Sequence, residues 1–357
     1  MSLLRSRTAR VALTVAAAAA VGALLWWRGP AWSAVGDAFK AVQWQWVVVA
    51  IGFNLLSVLA RALAWRTVIN QAFEKPHPSF MLVFSAFSVG LFANAILPGR
   101  IGEIARVAVL DRHMPQRAAW ARLLGTVFAH RVFDLVAVIA LITYVMLTAP
   151  IPDWAVTSLI VVVAVGVILL TVAVMGARND RFAGFEEGLG AIRKVIRLIR
   201  YGLGVMREPA AAALALFFQM LGWTFQLFAV WTAMRAFGIH EALPAAGLVL
   251  VLMNVATIFP LWPGNVGLVQ AAVALPLFTY YGVAKARGIA FGFGLQAIEA
   301  SVGVGVGLIF LAREGLSVAM LKVMPDASQA DAPAKEPPAA EPEPEVDVER
   351  PRARVSG

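Results

Sequence analysis

Apolar runs long enough to cross a bilayer recur along almost the whole chain, and this limits its folds more than any other feature. A helix rises about 1.5 Å per residue, so roughly 20 apolar residues cover the hydrocarbon layer of a membrane. Runs of this kind, some shorter, fall at 11–27, 44–69, 80–97, 123–147, 154–175, 210–237, 244–260, 267–282 and 288–312. Backbone in hydrocarbon must satisfy its own hydrogen bonds, which leaves helices or closed barrels. Unbroken apolar runs, rather than strict alternation, select helices. A chain that is 60% hydrophobic and only 14% charged does not read as a soluble domain. The fold class is an all-α polytopic membrane protein.

The chain has no cysteine, which removes disulfides, thiol catalysis and cysteine-based metal sites. Its histidines, His77, His113, His130 and His240, show no metal-ligand spacing, so neither a metal nor a cofactor is expected. No nucleotide-binding loop or catalytic triad spacing is visible, and the protein is not expected to be an enzyme. The formal net charge of +9 would suggest nucleic acid for a soluble chain. Here it points to Lys and Arg held on the cytoplasmic side near anionic lipid, with no nucleic-acid partner.

Two of the apolar runs end in the same break. Pro98-Gly99-Arg100-Ile101-Gly102 and Pro263-Gly264-Asn265-Val266-Gly267 both read Pro-Gly-x-x-Gly. Pro98, Gly99 and Gly102, and Pro263, Gly264 and Gly267, read as hinges, because Pro-Gly stops a helix and a further Gly allows a sharp turn. Sliding the sequence along itself until Pro98 lies on Pro263 also carries Arg131 onto Gln296 and Asp134 onto Glu299. A shared register points to an internal duplication, with chance among many small residues as the alternative.

Charge tests the topology. If 80–97 and 244–260 also cross fully, eight spans result and the basic stretch 176–209, with Arg193, Lys194, Arg197 and Arg200, falls outside. That opposes the positive-inside rule. If 80–115 and 244–282 are instead re-entrant hairpins, six spans remain and the basic segments fall inside. The expectation is six to eight transmembrane helices forming an inverted repeat with two re-entrant Pro-Gly hairpins. The organisation is 1–28 as N-terminus and first span, 29–175 as first membrane half, and 176–209 as basic cytoplasmic linker. The second membrane half is 210–315, and 316–357, rich in Pro, Ala and Glu, is a disordered cytoplasmic tail. The first segment also fits a secretory signal, but Trp26-Trp27-Arg28 stands where a cleavage site would be. In the 44–69 run, Trp44 and Trp46 read as anchors at one interface, Trp65 and Arg66 at the other, and Arg61 as a snorkelling side chain.

Charged groups inside apolar runs are the candidate binding residues. Arg131 and Asp134 lie three apart on one helical face and form either a polar path or a self-neutralising structural pair. His130 could titrate beside them, or serve as an ordinary hydrogen-bonding residue. Arg100, Glu103 and Arg106 follow the first break, where helix amides attract an anion, with interfacial snorkelling as their alternative. Glu299 and Gln296 share a face of the last run, and Glu299 needs a partner such as Arg100, Arg106 or Arg131. The glycines 288, 292, 303 and 307 read as a close-packing seam. Asn254, Asn265 and Gln270 make the second break polar but uncharged.

At these residues the chain resembles the lysylphosphatidylglycerol synthase transmembrane, or flippase-like, family. The likeness covers about residues 10–315. It rests on Asn94-x-x-x-Pro98-Gly99-Arg100-x-Gly102-Glu103, Arg131-x-x-Asp134 and Pro260-x-x-Pro263-Gly264-x-x-Gly267. The family pattern has Glu at His130, Gly at Asn265, Glu at Gln270 and Arg at Gln296. The resemblance implies a stand-alone member without the aminoacyl-transferase domain, and so no synthase activity. Together with the polar groups above, it gives a candidate substrate site of Arg100, Glu103, Arg106, His130, Arg131, Asp134, Asn265, Gln270, Gln296 and Glu299. The expected function is translocation of a lipid or lipid-linked headgroup, with anionic phospholipid or a lipid-linked headgroup as partner and homo-oligomerisation left open. A membrane-embedded lipid-modifying transferase and a non-transporting scaffold are the alternatives. The expected location is the inner membrane, with both termini cytoplasmic.

Overall fold

The computed structural model describes residues 31–97, 101–114, 119–151, 156–157, 159–161, 163–168, 171, 208–258 and 265–315. The expected first span at 11–27, much of the 154–175 run, nearly all of the basic linker and the tail beyond 315 lie outside the described residues. So do the hinge residues Pro98, Gly99, Pro263 and Gly264, and the candidate Arg100. Among the described residues every regular element is a helix.

The described residues between 156 and 171 are helical, and the other helices in chain order are α1 (Trp32–Lys40), α2 (Trp44–Ala72), α3 (Phe80–Ile96), α4 (Gly102–Asp111) and α5 (Ala119–Thr148). They continue with α6 (Pro209–Ala236), α7 (Leu243–Ile258), α8 (Leu268–Tyr281) and α9 (Lys285–Arg313). Local chemistry sets several boundaries. Ser79 caps α3 by accepting the Leu82 N–H at 3.3 Å, satisfying one of the free amides of the first turn. Pro209 opens α6, where its missing N–H is harmless. Gly282 ends α8 at φ 65°, a left-handed conformation that glycine adopts without steric cost.

Helices α2, α6 and α9 and the 122–148 part of α5 are each 27–29 residues long and apolar enough to cross a membrane. The apolar helices α3, α7 and α8 are shorter. Large apolar side chains stand on the outside, among them Leu147 at 80% exposure, Ile309 at 67% and Phe217 at 58%. Water would penalise such a surface, whereas lipid tails match it.

The long helices α2 and α6 pack along one another at the centre, α3 lies on α9, and α5 lies on α7. Helix α4 folds back along α3, so that a Cβ on Gly90 would sit 2.8 Å from the Gly102 carbonyl. Helix α8 runs back along α9, where Gly292 and Gly288 meet the backbones of Gln270 and Ala274. Gly307 lets α9 touch α3, because a Cβ there would meet the Ser88 carbonyl at 2.8 Å. The glycine seam therefore packs helices at Gly288, Gly292 and Gly307, while Gly303 has open space. The long–short–short–long order of α2 to α5 recurs in α6 to α9. The slide that lays Pro98 on Pro263 also lays Trp44, which opens α2, on Pro209, which opens α6. It lays Thr148, the end of α5, on Arg313, the end of α9.

One interfacial assignment changes. Trp44 is exposed, as an interfacial anchor should be, but Trp65 is fully buried. Its indole N–H donates to Thr126 Oγ1 at 3.1 Å, and its ring packs beside Phe87. Trp65 shares a helical face with Ala62 and Ile69, so the periodicity of α2 turns it toward the core.

Candidate functional site

Charged groups from α4 and α5 come together, and α6 adds uncharged hydrogen-bond donors to them. Glu103, in the first turn of α4, is placed where the helix dipole favours an acid. Its carboxylate pairs with Arg106 three residues on and with Arg131 from α5. Arg131 Nη1 also donates to Asp134 Oδ2 at 2.9 Å, closing an i, i+3 pair on one face of α5. Asp134 Oδ1 accepts from the Trp223 indole N–H at 3.1 Å and from the Gln219 amide, both on α6. His130 Nδ1 lies 3.9 Å from Asp134 Oδ2, with its ring edge-on to Phe87. Arg106 lies over the Trp65 ring at 4.7 Å. With Glu103 and Asp134 ionised, the two guanidiniums and two carboxylates cancel. Hydrogen bonds from Gln219 and Trp223 satisfy the buried acid further.

The second polar group lies across α2. Glu299 accepts from Gln226 Nε2 at 2.9 Å, and Gln270 Nε2 donates to Gln296 Oε1 at 2.8 Å. Gln270 Oε1 in turn accepts the Gly267 N–H at 2.6 Å, capping α8 where the backbone turns through φ 94° at Gly267. The described partner of Glu299 is therefore Gln226, not Arg106 or Arg131. Those two arginines are held on the α4–α5 side by Glu103 and Asp134.

Each break is closed by an asparagine side chain. Asn94 Oδ1 accepts the Gly102 N–H at 2.9 Å, and Asn265 Nδ2 donates to the Ala256 carbonyl at 2.8 Å. Asn265 has φ 45°, a conformation tolerated by asparagine better than by most non-glycine residues. This accounts for an asparagine where the resemblance places a glycine.

Two adjoining cavities join these groups. The smaller, about 60 Å³, lies against Asn94, Glu103, Arg106, His130, Arg131 and Asp134. The larger, about 420 Å³, is lined by Asn54, Ser57, Gln226, Asn254, Gln296 and Glu299 among others. Arg61, Phe87, Leu91 and Asn94 line both. Arg61 is not a snorkelling residue: it turns inward to both cavities, with its guanidinium 4.6 Å from the Trp223 ring centre.

The predicted residues therefore fall into two groups, one around Glu103, Arg106, His130, Arg131 and Asp134, the other around Gln270, Gln296 and Glu299. Asn265 closes the second turn rather than lining either cavity. Sequence reasoning passed over Asn54, Arg61, Gln219, Trp223 and Gln226 as site residues. The signal was present: Asn54, Ser57 and Arg61 stand at i, i+3, i+7 in α2, and Gln219, Trp223 and Gln226 at i, i+4, i+7 in α6. Each set is a polar or amphipathic stripe in an apolar helix. The register that lays Pro98 on Pro263 also lays Asn54 on Gln219 and Arg61 on Gln226.

Long apolar helices with lipid-compatible surfaces and an interior polar cluster define a multi-pass α-helical membrane protein. Residues 11–307 match the model of the lysylphosphatidylglycerol synthase TM region, and the chain belongs to that family. The family is membrane-associated and related to lipid handling. No curated protein and no solved structure matches the chain.

Proposed function

We propose that the protein moves a lipid or lipid-linked headgroup between the two leaflets of the membrane. The observation that carries this reading is the pair of cavities with charged and amide side chains in their lining, which share Arg61 and Asn94 and lie among helices whose outer surfaces are apolar. A charged or polar lining inside such a bundle is costly to keep unless something polar uses it. The headgroup passes through these cavities while its acyl tails remain in the bilayer.

The α3–α4 and α7–α8 pairs act in this reading as re-entrant hairpins from opposite faces, making the chain an inverted repeat. The recurrence of element order in the register that lays Trp44 on Pro209, and the crossed packing of α3 on α9 and α5 on α7, support it. Broken helices at a repeat interface favour a substrate site in many transporters. The charge pattern supports an inner-membrane location with both termini cytoplasmic. The work is transport rather than bond-making chemistry, and membrane lipids are the partners.

Proteoliposomes carrying headgroup-labelled lipid test this. External quencher should consume the protected inner-leaflet signal faster with wild-type protein than in empty vesicles, and Asp134→Asn should remove the acceleration while staying monodisperse. No acceleration for phospholipid, glycolipid or polyprenyl-phosphate probes would refute the transport reading.

A further inference from the structure

Three arginines reach the polar interior, and their partners differ. Arg106 is paired with Glu103, and Arg131 with Glu103 and Asp134. Arg61 forms no ion pair with a described carboxylate, and its buried Nε, like that of Arg106, has no hydrogen-bond partner among the described residues. The face of Trp223 lies under its charge, and the carboxylates that share its cavities, Glu103, Asp134 and Glu299, are held by other partners. Space for it is built in: a Cβ on Gly222 would come within 2.8 Å of Arg61 Cγ. A guanidinium that faces a cavity without a direct ion-pair partner suits an anion, since its donor fork matches a phosphate.

The rest of the larger cavity differs from the charged cluster beside it. Its polar lining is dominated by the amides of Asn54, Gln226, Asn254 and Gln296. Its one acid, Glu299, already accepts from Gln226. Side-chain amides both donate and accept, as hydroxyl groups do, whereas an ammonium only donates and calls for acceptors.

We propose that this cavity is a site for a phosphate-linked, hydroxyl-rich headgroup, in which Arg61 takes the phosphate and the amides take the hydroxyls. The proposal rests on the transport reading for its physiological setting but not for its chemistry. Arg106 and Arg131, which the sequence nominates for the anion, instead hold the α4–α5 corner in place. A ligand of this chemistry could come from a lipid or from its soluble headgroup.

The test is calorimetric titration of the full chain in phosphatidylcholine nanodiscs. The probes are short-chain phosphatidylglycerol, short-chain phosphatidylethanolamine and deacylated glycerophosphoglycerol. Phosphatidylglycerol should bind at least about tenfold tighter than phosphatidylethanolamine, and Arg61→Gln should weaken it at least about tenfold, the range expected for a charged hydrogen bond. Arg61→Lys should fall between. The paired Asn54→Ala and Asn254→Ala change should erase the preference between the two lipids while leaving phosphate-dependent binding, which keeps the test open if Arg61→Gln does not fold. Equal affinity for the two lipids, or unchanged binding in folded Arg61→Gln, overturns the proposal. Glycerophosphoglycerol binding as tightly as the lipid supports the site but counts against lipid translocation. Selective lipid binding without vesicle transport likewise leaves the site standing and removes the transport reading.

Discussion

Asp134 shows how a carboxylate is kept among apolar helices: Arg131 neutralises it, and Gln219 and Trp223 bring hydrogen bonds from another helix. Asp134→Asn keeps the shape but removes the charge that balances Arg131, and should lower stability by about 1–3 kcal/mol, read as a fall in Tm. Asn265 makes the opposite kind of prediction. At φ 45°, Asn265→Gly gives up the side-chain hydrogen bond to Ala256, whereas Asn265→Val gives it up and also forces a branched side chain into the left-handed region. Asn265→Val should therefore melt lower than Asn265→Gly, by about 1–2 kcal/mol of stability. Equal melting of the two variants would show that the turn conformation is not what selects the residue.

At the scale of elements, the close approaches are set by single positions. The α3–α4 turn is closed by Asn94 Oδ1 on the Gly102 N–H. Asn94→Leu leaves that amide without its acceptor, and should destabilise the protein by about 1–3 kcal/mol. Proteolysis or hydrogen exchange should locate the loosening at α4 first, and uniform loosening would argue against a local role. The α3–α9 contact depends on Gly307. Gly307→Leu should drive those helices apart and lower Tm by more than Gly303→Leu, because Gly303 faces open space.

At the scale of the molecule, the ends of the bundle can be tested without background labelling because the chain contains no cysteine. One end gathers Gln43, Phe237, Gly238 and Arg287, joined by the Gln43 N–H to the Ala236 carbonyl at 2.9 Å and by Arg287 to the Gly238 carbonyl at 3.3 Å. The other gathers Ser85, His113 and Glu314, with Ser85 Oγ donating to Glu314 at 2.5 Å. In the proposed topology the first end is outside and the second cytoplasmic. A membrane-impermeant thiol reagent should label Ala242→Cys in intact cells and Lys75→Cys only after permeabilisation. Reversed labelling, or both sites reacting from outside, would sink the six-span inverted arrangement.

Much of this protein is legible in its sequence because the bilayer imposes few solutions. Uninterrupted apolar length specifies membrane helices, Pro-Gly breaks them, and the register shared by Pro98 and Pro263 pairs the two breaks before any contact is seen. Pairs three apart, such as Glu103 with Arg106 and Arg131 with Asp134, follow from helical geometry alone. What tertiary structure decided is which side chains meet across helices. Trp65 and Arg61 look like residues near a helix end, yet the face they occupy on α2 sends one into the core and the other into a shared cavity. Glu299 is met by Gln226, because α6 lies against it while Arg106 and Arg131 are already held by nearer acids. A helix's period tells which residues share a face, but which neighbour that face meets depends on packing among distant segments, and a linear sequence carries that only indirectly.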